Sequence, residues 1–92
     1  MQKCKYCLKE EADTKDHFYP RSLGGIRGRN IVMCCYSCNR KKGKHLFWSI
    51  GAVRSYMRSK RTYRAWLAET IRAVPEKRLV FVEIAVTGRA LI

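Results

Sequence analysis

Two C-x-x-C pairs, Cys4/Cys7 and Cys35/Cys38, constrain this chain more than any other feature of its sequence. A chain of 92 residues buries a limited apolar core, so metals or disulfides are expected to help stabilise it. In a reducing compartment this spacing is typical of zinc, because each pair forms a tight knuckle that supplies two thiolates of a tetrahedral site. We therefore predict one structural zinc ion, bound by Cys4, Cys7, Cys35 and Cys38.

The fifth cysteine, Cys34, stands directly before the second pair. It could replace Cys35 as a ligand, but the C-x-x-C spacing favours Cys35 with Cys38. We expect Cys34 to be a small buried apolar residue. The zinc site alone indicates only that a metal stabilises the domain.

The charge balance restricts the partners. The formal net charge is +13, with 20 lysines and arginines against seven acidic residues. Such a balance indicates a polyanionic partner, nucleic acid first and an anionic membrane surface second. No apolar run approaches ~18 residues, so no membrane span is predicted. The polar start of the sequence resembles no signal peptide, and we expect a cytoplasmic protein, in the host cytoplasm if a phage encodes it.

The first half of the chain predicts two strands and a helix. Residues 13–19 form a strand or an extended segment, and 20–28 form a turn-rich loop. The β-branched, apolar run at 30–35 predicts a second strand. From Tyr36 a short helix follows, which Gly43 is expected to end.

The second half differs in kind, because it carries two helical stripes of apolar residues. The stripes are Leu46, Ile50, Val53 and Met57, and then Tyr63, Leu67, Ile71 and Val74. They are interrupted at Lys60–Arg61, which favours two helices over one. The mostly apolar run at 78–86 predicts a strand. We expect a core at 1–44 and a basic extension at 45–92 that contacts nucleic acid or forms a homodimer.

Four polar residues lie between and beside the cysteine pairs, namely Asp16, His17, Asn30 and Asn39. Singly, His17 could be a zinc ligand or a structural histidine, and the asparagines a turn and a helix-surface residue. Together they suit phosphodiester cleavage, which needs a base for water and a cation for the developing charge. Adjacent strand residues point to opposite faces, so Asp16 and His17 act together only if the backbone bends before Pro20.

The order of these residues resembles the HNH endonuclease family. The matching pattern is C-x-x-C, D-H-x-x-P-x-x-x-G-G, N and C-x-x-C-N-x-x-K-G, over about residues 4–43. It consists of Cys4, Cys7, Asp16, His17, Pro20, Gly24, Gly25, Asn30, Cys35, Cys38, Asn39, Lys42 and Gly43. The resemblance implies a small α+β fold of the ββα-metal type, in which two strands and a helix hold a catalytic divalent ion. It also implies a separate structural zinc.

By the same resemblance, His17 is the general base, and Asp16 and Asn39 bind the catalytic ion. Asn30 orients the His17 loop through a backbone hydrogen bond. Asn39 replaces the last histidine of the family's name, so we expect Mg²⁺ or Mn²⁺, which prefer oxygen ligands. The implied activity is hydrolysis of DNA, most simply double-stranded DNA, leaving 5′-phosphate and 3′-hydroxyl ends. The alternatives are a non-catalytic zinc-stabilised nucleic-acid-binding module and an RNA-directed enzyme or a toxin.

Basic side chains around this motif are the predicted DNA contacts. They are Arg21, Arg27 and Arg29 in the loop, Arg40, Lys41, Lys42 and Lys44 near the end of the first helix, and Arg54, Arg58, Lys60 and Arg61 beyond it. Lysine and arginine in these places would bind phosphates, giving salt-sensitive binding with little sequence readout. The alternative is a solvated, charge-rich helix end.

Overall fold

The computed structural model of the protein describes residues 2–20 and 30–87. The elements of these residues are strands β1 (Thr14–His17) and β2 (Ile31–Cys34) and helices α1 (Tyr36–Lys42), α2 (Ile50–Ser59), α3 (Tyr63–Ala73) and α4 (Glu76–Thr87). The expected small α+β fold is therefore present. Within the described residues, no helix has the length and apolarity needed to cross a membrane.

The two strands form an antiparallel hairpin that carries the cleft described below. Thr14 lies opposite Cys34, and His17 lies opposite Ile31. The pairing continues past β1, because the Phe18 N–H donates to the Asn30 carbonyl at 2.7 Å. Both predicted strands are confirmed, with shorter bounds. Of the predicted loop at 20–28, only Pro20 falls within the described residues.

Helix α1 begins directly after Cys35 and packs against β1. Its first N–H groups have no partner within the helix, and one of them, on Tyr36, donates to Asp13 Oδ1 at 2.9 Å. The helix ends at Gly43, whose φ of +56° glycine adopts at low cost. The predicted stop at Gly43 is confirmed, and it limits α1 to two turns lying over β1.

Helices α2 and α3 have side-chain caps at their N-termini. Ser49 Oγ accepts from the Ala52 N–H at 3.1 Å, and Thr62 Oγ1 accepts from the Ala65 N–H at 3.3 Å. Between the helices Lys60 adopts a left-handed conformation with φ of +56°. The prediction of two helices interrupted at Lys60–Arg61 is therefore confirmed, but Leu46 and Val74 of the predicted stripes lie outside the helices.

An aromatic cluster forms the core between these helices. Trp48 and Trp66 stack with ring centroids 5.3 Å apart, and Phe47 lies 5.3 Å from Trp66. Phe47 is 1% exposed and Trp66 is 3% exposed. Large aromatic side chains dominate the energetics of small cores because each buries a large apolar area. These rings belong to the same hydrophobic cluster as the buried residues of the cysteine-bearing half, such as Tyr6 and Phe18.

The predicted strand at 78–86 is wrong, because these residues belong to helix α4. Ile84 is buried at 2% exposure, and Val80 and Phe81 pack beside it, which is helical spacing. Leu79, which precedes them, and Val82, which lies between Phe81 and Ile84, are 75% and 51% exposed. A strand would place positions 80, 82 and 84 on one face. A helix also pairs its own backbone groups, so this segment needs no partner strand.

Replacing Ile84 with alanine should lower the free energy of unfolding by about 2 to 4 kcal/mol, because the change leaves a cavity in the core. Val82→Ala, at an exposed position two residues away, should change it by less than about 0.5 kcal/mol. Urea unfolding of the zinc-loaded protein measures both values. Equal losses at the two positions would contradict the helix, since only a strand directs both side chains to the same face.

Candidate active site

The sulfur atoms of the two C-x-x-C pairs converge on one point. Those of Cys4, Cys7, Cys35 and Cys38 all lie within 4.8 Å of one another. The Cys7 and Cys35 sulfurs are 4.0 Å apart. Zinc–sulfur bonds of ~2.3 Å in a tetrahedron place thiolates ~3.8 Å from one another, which matches this spacing. The four predicted ligands are therefore positioned to bind one zinc ion.

The surroundings of these thiols favour a divalent cation. Burial raises the pKa of Cys4, but N–H groups of Cys7, Cys35 and Tyr6 outweigh burial and lower it to about 7. Burial raises the pKa of Cys38, and the nearby sulfurs of Cys35 and Cys4 raise it further. One thiolate thus forms readily while a neighbouring thiol keeps its proton. A bound zinc ion displaces such protons and removes the repulsion between the thiolates.

Cys34 lies apart from this cluster, as expected. It is fully buried, and its sulfur lies 3.5 Å from Thr14 Oγ1. Burial raises the pKa of Cys34 to about 11, so its thiol stays protonated at neutral pH. The expectation of a small buried residue is confirmed.

A cleft of about 220 Å³ lies where β1 ends, beside the last turn of α1. Its lining consists of Lys15, Asp16, His17, Pro20, Asn39, Gly43 and Lys44. Asp16 and His17, the last two residues of β1, both line this cleft. Three of the four polar residues singled out in the sequence are thereby brought together.

Asp16 is buried, and two donors hold one of its oxygens. Lys42 Nζ lies 2.9 Å from Asp16 Oδ2, and the Tyr6 hydroxyl donates to the same oxygen at 2.7 Å. Asp16 Oδ1 has no hydrogen-bond partner within residues 2–20 and 30–87, and no buried polar side-chain atom there lacks one. Of the two oxygens, Oδ1 is therefore the one that receives no donor from the described residues, and Asp16 is part of the cleft lining.

Asn39 offers a second oxygen at the same place. Its Nδ2 donates to Thr14 Oγ1 at 3.2 Å and to the Lys15 carbonyl at 3.4 Å. These bonds anchor the amide through its nitrogen, while Asn39 Oδ1 accepts no hydrogen bond from the described part of the chain. A carboxylate oxygen and an amide oxygen suit a hard cation such as Mg²⁺, which takes few protein ligands and keeps several waters. The donor set therefore fits the expected ion.

His17 is part of the lining of the same cleft. The side chain is half-buried, and its ring forms no hydrogen bond with the residues that the structure describes. His17 does not belong to the sulfur cluster, so the alternative of a zinc ligand finds no support. Its carbonyl accepts from Lys42 Nζ at 3.4 Å, which fixes the backbone at this point.

Asn30 lies outside the cleft lining and ties the chain beyond His17 to β2. Its Oδ1 accepts from the Tyr19 N–H at 2.7 Å, and its Nδ2 donates to the Tyr19 carbonyl at 2.9 Å. The amide of one side chain thus satisfies both backbone groups of a residue two positions after His17. This is the kind of contact that would orient the loop carrying the histidine.

Two residues that hold Asp16 have roles that the sequence analysis missed. Lys42 is 0% exposed, so its ammonium is not available to a phosphate at the surface, contrary to the expected DNA contact. It lies three residues after Asn39 on α1, and residues at this spacing share a helix face. Burial raises the pKa of Tyr6, and the charge of Asp16 raises it further, so the hydroxyl remains a donor. In the sequence, the position of Tyr6 between Cys4 and Cys7 was the signal that could have indicated this role.

The other predicted phosphate contacts differ in exposure and in their partners. The exposed ones are Arg40, Lys44, Arg58, Lys60 and Arg61. Arg54 donates to the Lys5 carbonyl at 2.8 Å, and Arg61 pairs with Glu69. The half-buried Lys41 lies over the Tyr56 ring. Arg21, Arg27 and Arg29 lie outside the described residues.

A larger cleft of about 700 Å³ opens beside α3 and the start of α4. Its lining consists of His45, Thr62, Tyr63, Arg64, Leu67, Ala68, Ile71 and Arg78. None of these described lining residues is a carboxylate, so this cleft lacks the ligands that a hard cation needs. The smaller cleft at the end of β1 is the better candidate for metal-dependent chemistry.

Comparison with known proteins identifies one related family. A family model described as HNH endonuclease matches residues 4–50, which is more than half of the 92-residue chain. Neither a curated protein nor a solved structure matches the chain. The matched segment contains the sulfur cluster and the cleft at the end of β1, and it stops at the first residue of α2.

Each chain should bind one zinc ion, and Cys38→Ala should lose it, because three thiolates bind zinc far more weakly than four. Cys34→Ala is the matched control, since Cys34 is also buried but lies outside the cluster. It should retain one zinc ion per chain. Elemental analysis after exhaustive dialysis measures the zinc content, and equal zinc in the two variants would contradict the assignment.

Zinc affinity should rise with pH between about 6 and 8, because zinc must displace protons from thiols such as Cys38, whose pKa is raised. At lower pH the thiols hold their protons more firmly, so zinc is bound more weakly. Competition with a chromophoric chelator at several pH values measures this dependence. An affinity that does not change with pH would show that the ligands are not thiols.

Proposed function

Because the chain belongs to the HNH endonuclease family, we propose that it is a metal-dependent endonuclease that hydrolyses phosphodiester bonds of DNA. The observation that carries this proposal is the cleft lined by Asp16, His17 and Asn39 beside the four-cysteine cluster. Phosphodiester cleavage needs a base and a bound cation, and this cleft brings together an imidazole, a carboxylate and an amide, whereas binding alone needs mainly cationic side chains. In this proposal β1, β2 and α1 form the ββα-metal unit, and the zinc ion is structural.

Asp16 Oδ1 and Asn39 Oδ1 would hold the catalytic Mg²⁺ or Mn²⁺. When bound, this ion neutralises negative charge that develops on the phosphate and on its leaving oxygen. Asp16 is the only carboxylate among the described lining residues, and Lys15 and Lys44 line the same cleft. Asp16 therefore supplies the attraction for a cation, while the lysines attract the phosphates on either side.

His17 would act as the general base. Its imidazole takes a proton from a water molecule, whose oxygen then forms a bond to phosphorus. The bond between phosphorus and the 3′ oxygen breaks, and that oxygen leaves with the electron pair and gains a proton. The products are a 5′-phosphate and a 3′-hydroxyl. Asn30 would keep the imidazole in place through its two hydrogen bonds to Tyr19.

The extension at 45–92 would widen the contact with DNA. Arg58 and Lys60 are exposed near the end of α2 and would bind phosphates without reading bases. Leu79 and Val82 on α4 are exposed apolar side chains, and a second copy of the chain would cover them in a homodimer. The protein would then cut both strands as a dimer, or nick one strand as a monomer.

With Mg²⁺ or Mn²⁺ the protein should nick supercoiled plasmid DNA, and EDTA should abolish the nicking. His17→Ala should lower the rate by about 10²- to 10⁴-fold, the usual contribution of a general base. His45→Ala is the matched control, because His45 lies outside the cleft at the end of β1. Gel electrophoresis of the plasmid measures the rates.

Absence of nicking by the wild-type protein with every divalent ion would favour a non-catalytic nucleic-acid-binding module. A His17→Ala variant as fast as the wild type would remove His17 from the mechanism. Competition between DNA and RNA substrates at one fixed salt concentration would separate the DNA enzyme from an RNA-directed one.

Lys44→Ala should weaken DNA binding and reduce the slope of log K against log salt by about 1, because one phosphate contact is lost. Lys9→Ala is the charge-matched control, since Lys9 lies with Glu10 and Glu11 near the opposite end of α1. It should leave the slope unchanged. Fluorescence anisotropy of a labelled duplex at several salt concentrations measures both, and equal slopes for the two variants would contradict the placement of DNA at the cleft.

A further inference from the structure

Tyr6 belongs to the zinc knuckle and to the cleft at the same time. It stands between the two predicted zinc ligands Cys4 and Cys7. Its side chain is 1% exposed, and its hydroxyl donates to Asp16 Oδ2 at 2.7 Å. One side chain therefore runs from the zinc-binding turn to the carboxylate of the proposed catalytic-ion site.

The knuckle fixes the backbone from which the Tyr6 side chain extends. The Tyr6 N–H donates to the Cys4 sulfur at 3.3 Å, and the Cys7 N–H donates to the same sulfur at 3.4 Å. The Lys5 N–H also donates to the Met33 carbonyl of β2 at 3.1 Å. A zinc ion that holds the Cys4 sulfur would therefore hold the direction of the Tyr6 side chain as well.

The second donor to Asp16 is anchored by the other zinc knuckle. Lys42 lies four residues after the predicted zinc ligand Cys38 on α1, and side chains at this spacing share a helix face. Its ammonium lies 2.9 Å from Asp16 Oδ2 and donates to the Phe18 carbonyl at 3.0 Å. Both donors to the one oxygen of Asp16 thus start from elements that the zinc ion would fix.

We propose that Tyr6 and Lys42 form a clamp that couples zinc occupancy to the affinity of the catalytic-ion site. The clamp holds Asp16 Oδ2, so Oδ1 is the oxygen left to bind an ion. Asp16 would then bind the ion through one oxygen, which suits Mg²⁺ and Mn²⁺ better than Ca²⁺, because Ca²⁺ often takes both oxygens of a carboxylate. Tyr6 is a positioning residue in this scheme, which rests on the proposed nuclease function.

The test compares Tyr6→Phe with Tyr63→Phe. Tyr6→Phe keeps the buried ring and removes only the hydroxyl that holds Asp16. Tyr63→Phe removes a hydroxyl that donates to the Leu46 carbonyl at 2.6 Å, away from the cleft. Each variant loses one hydrogen-bond donor, so a general loss of stability is common to both.

The readout is Mn²⁺ binding to zinc-loaded protein, followed by electron paramagnetic resonance. Tyr6→Phe should raise the Mn²⁺ dissociation constant by about 10-fold or more, the usual effect of losing a hydrogen bond to a metal ligand, and should keep one zinc ion per chain. Tyr63→Phe should match the wild type. Equal Mn²⁺ affinity in Tyr6→Phe and the wild type would overturn the clamp alone. No Mn²⁺ binding to the wild type would overturn the ion site and the clamp with it.

Linkage supplies a second measurement that does not depend on the same assay. If zinc raises the affinity for Mn²⁺, saturating Mn²⁺ must raise the affinity for zinc by the same factor. Zinc affinity, measured with a chelator that binds Mn²⁺ only weakly, should therefore increase with Mn²⁺ in the wild type and increase less in Tyr6→Phe. An increase of the same size in both proteins would show that the coupling passes through folding and not through Tyr6.

Discussion

Four sulfur atoms within 4.8 Å of one another join the start of the chain to the junction between β2 and α1, and the cleft depends on that cross-link. The first knuckle lies against β2, because the Lys5 N–H donates to the Met33 carbonyl. Helix α1 begins one residue after Cys35, so the second knuckle sets where the helix starts over β1. In a chain of 92 residues, such a cross-link takes the place of apolar surface that a larger domain would bury.

The buried pair of Asp16 and Lys42 specifies geometry more than it adds stability. Removing two charges from water costs several kcal/mol for each ion, which their attraction offsets only when every polar group has a partner. Lys42 meets that condition, because its ammonium has three N–H groups and three acceptors. These are Asp16 Oδ2 at 2.9 Å and the carbonyls of Phe18 at 3.0 Å and His17 at 3.4 Å. The same ammonium therefore fixes the carboxylate before the histidine and the backbone carbonyls of the histidine and of the residue after it.

The cysteine pairs, both strands and the first three helices could be predicted from the sequence, because each depends on the spacing of residues that are close together in the chain. The strand predicted at 78–86 was wrong because a short apolar run fits either structure. A distant contact is part of what distinguishes them, since Phe81 of α4 packs edge-on against Trp48. The roles of Lys42 and Tyr6 were missed for a similar reason. A lysine in a basic run is expected at the surface, and only the fold shows that Lys42 is buried against the carboxylate of Asp16.

The Asn30 amide determines how far the position of the histidine depends on the segment that follows it. Its two hydrogen bonds to Tyr19, together with the bond from the Phe18 N–H to the Asn30 carbonyl, fix the two ends of the segment at 20–29 next to each other. All three bonds join residues 18 and 19 to residue 30, so they hold the backbone next to the histidine without relying on the residues that connect them. Under the proposed function, a change in the number of residues between Pro20 and Asn30 would therefore leave His17 in its place.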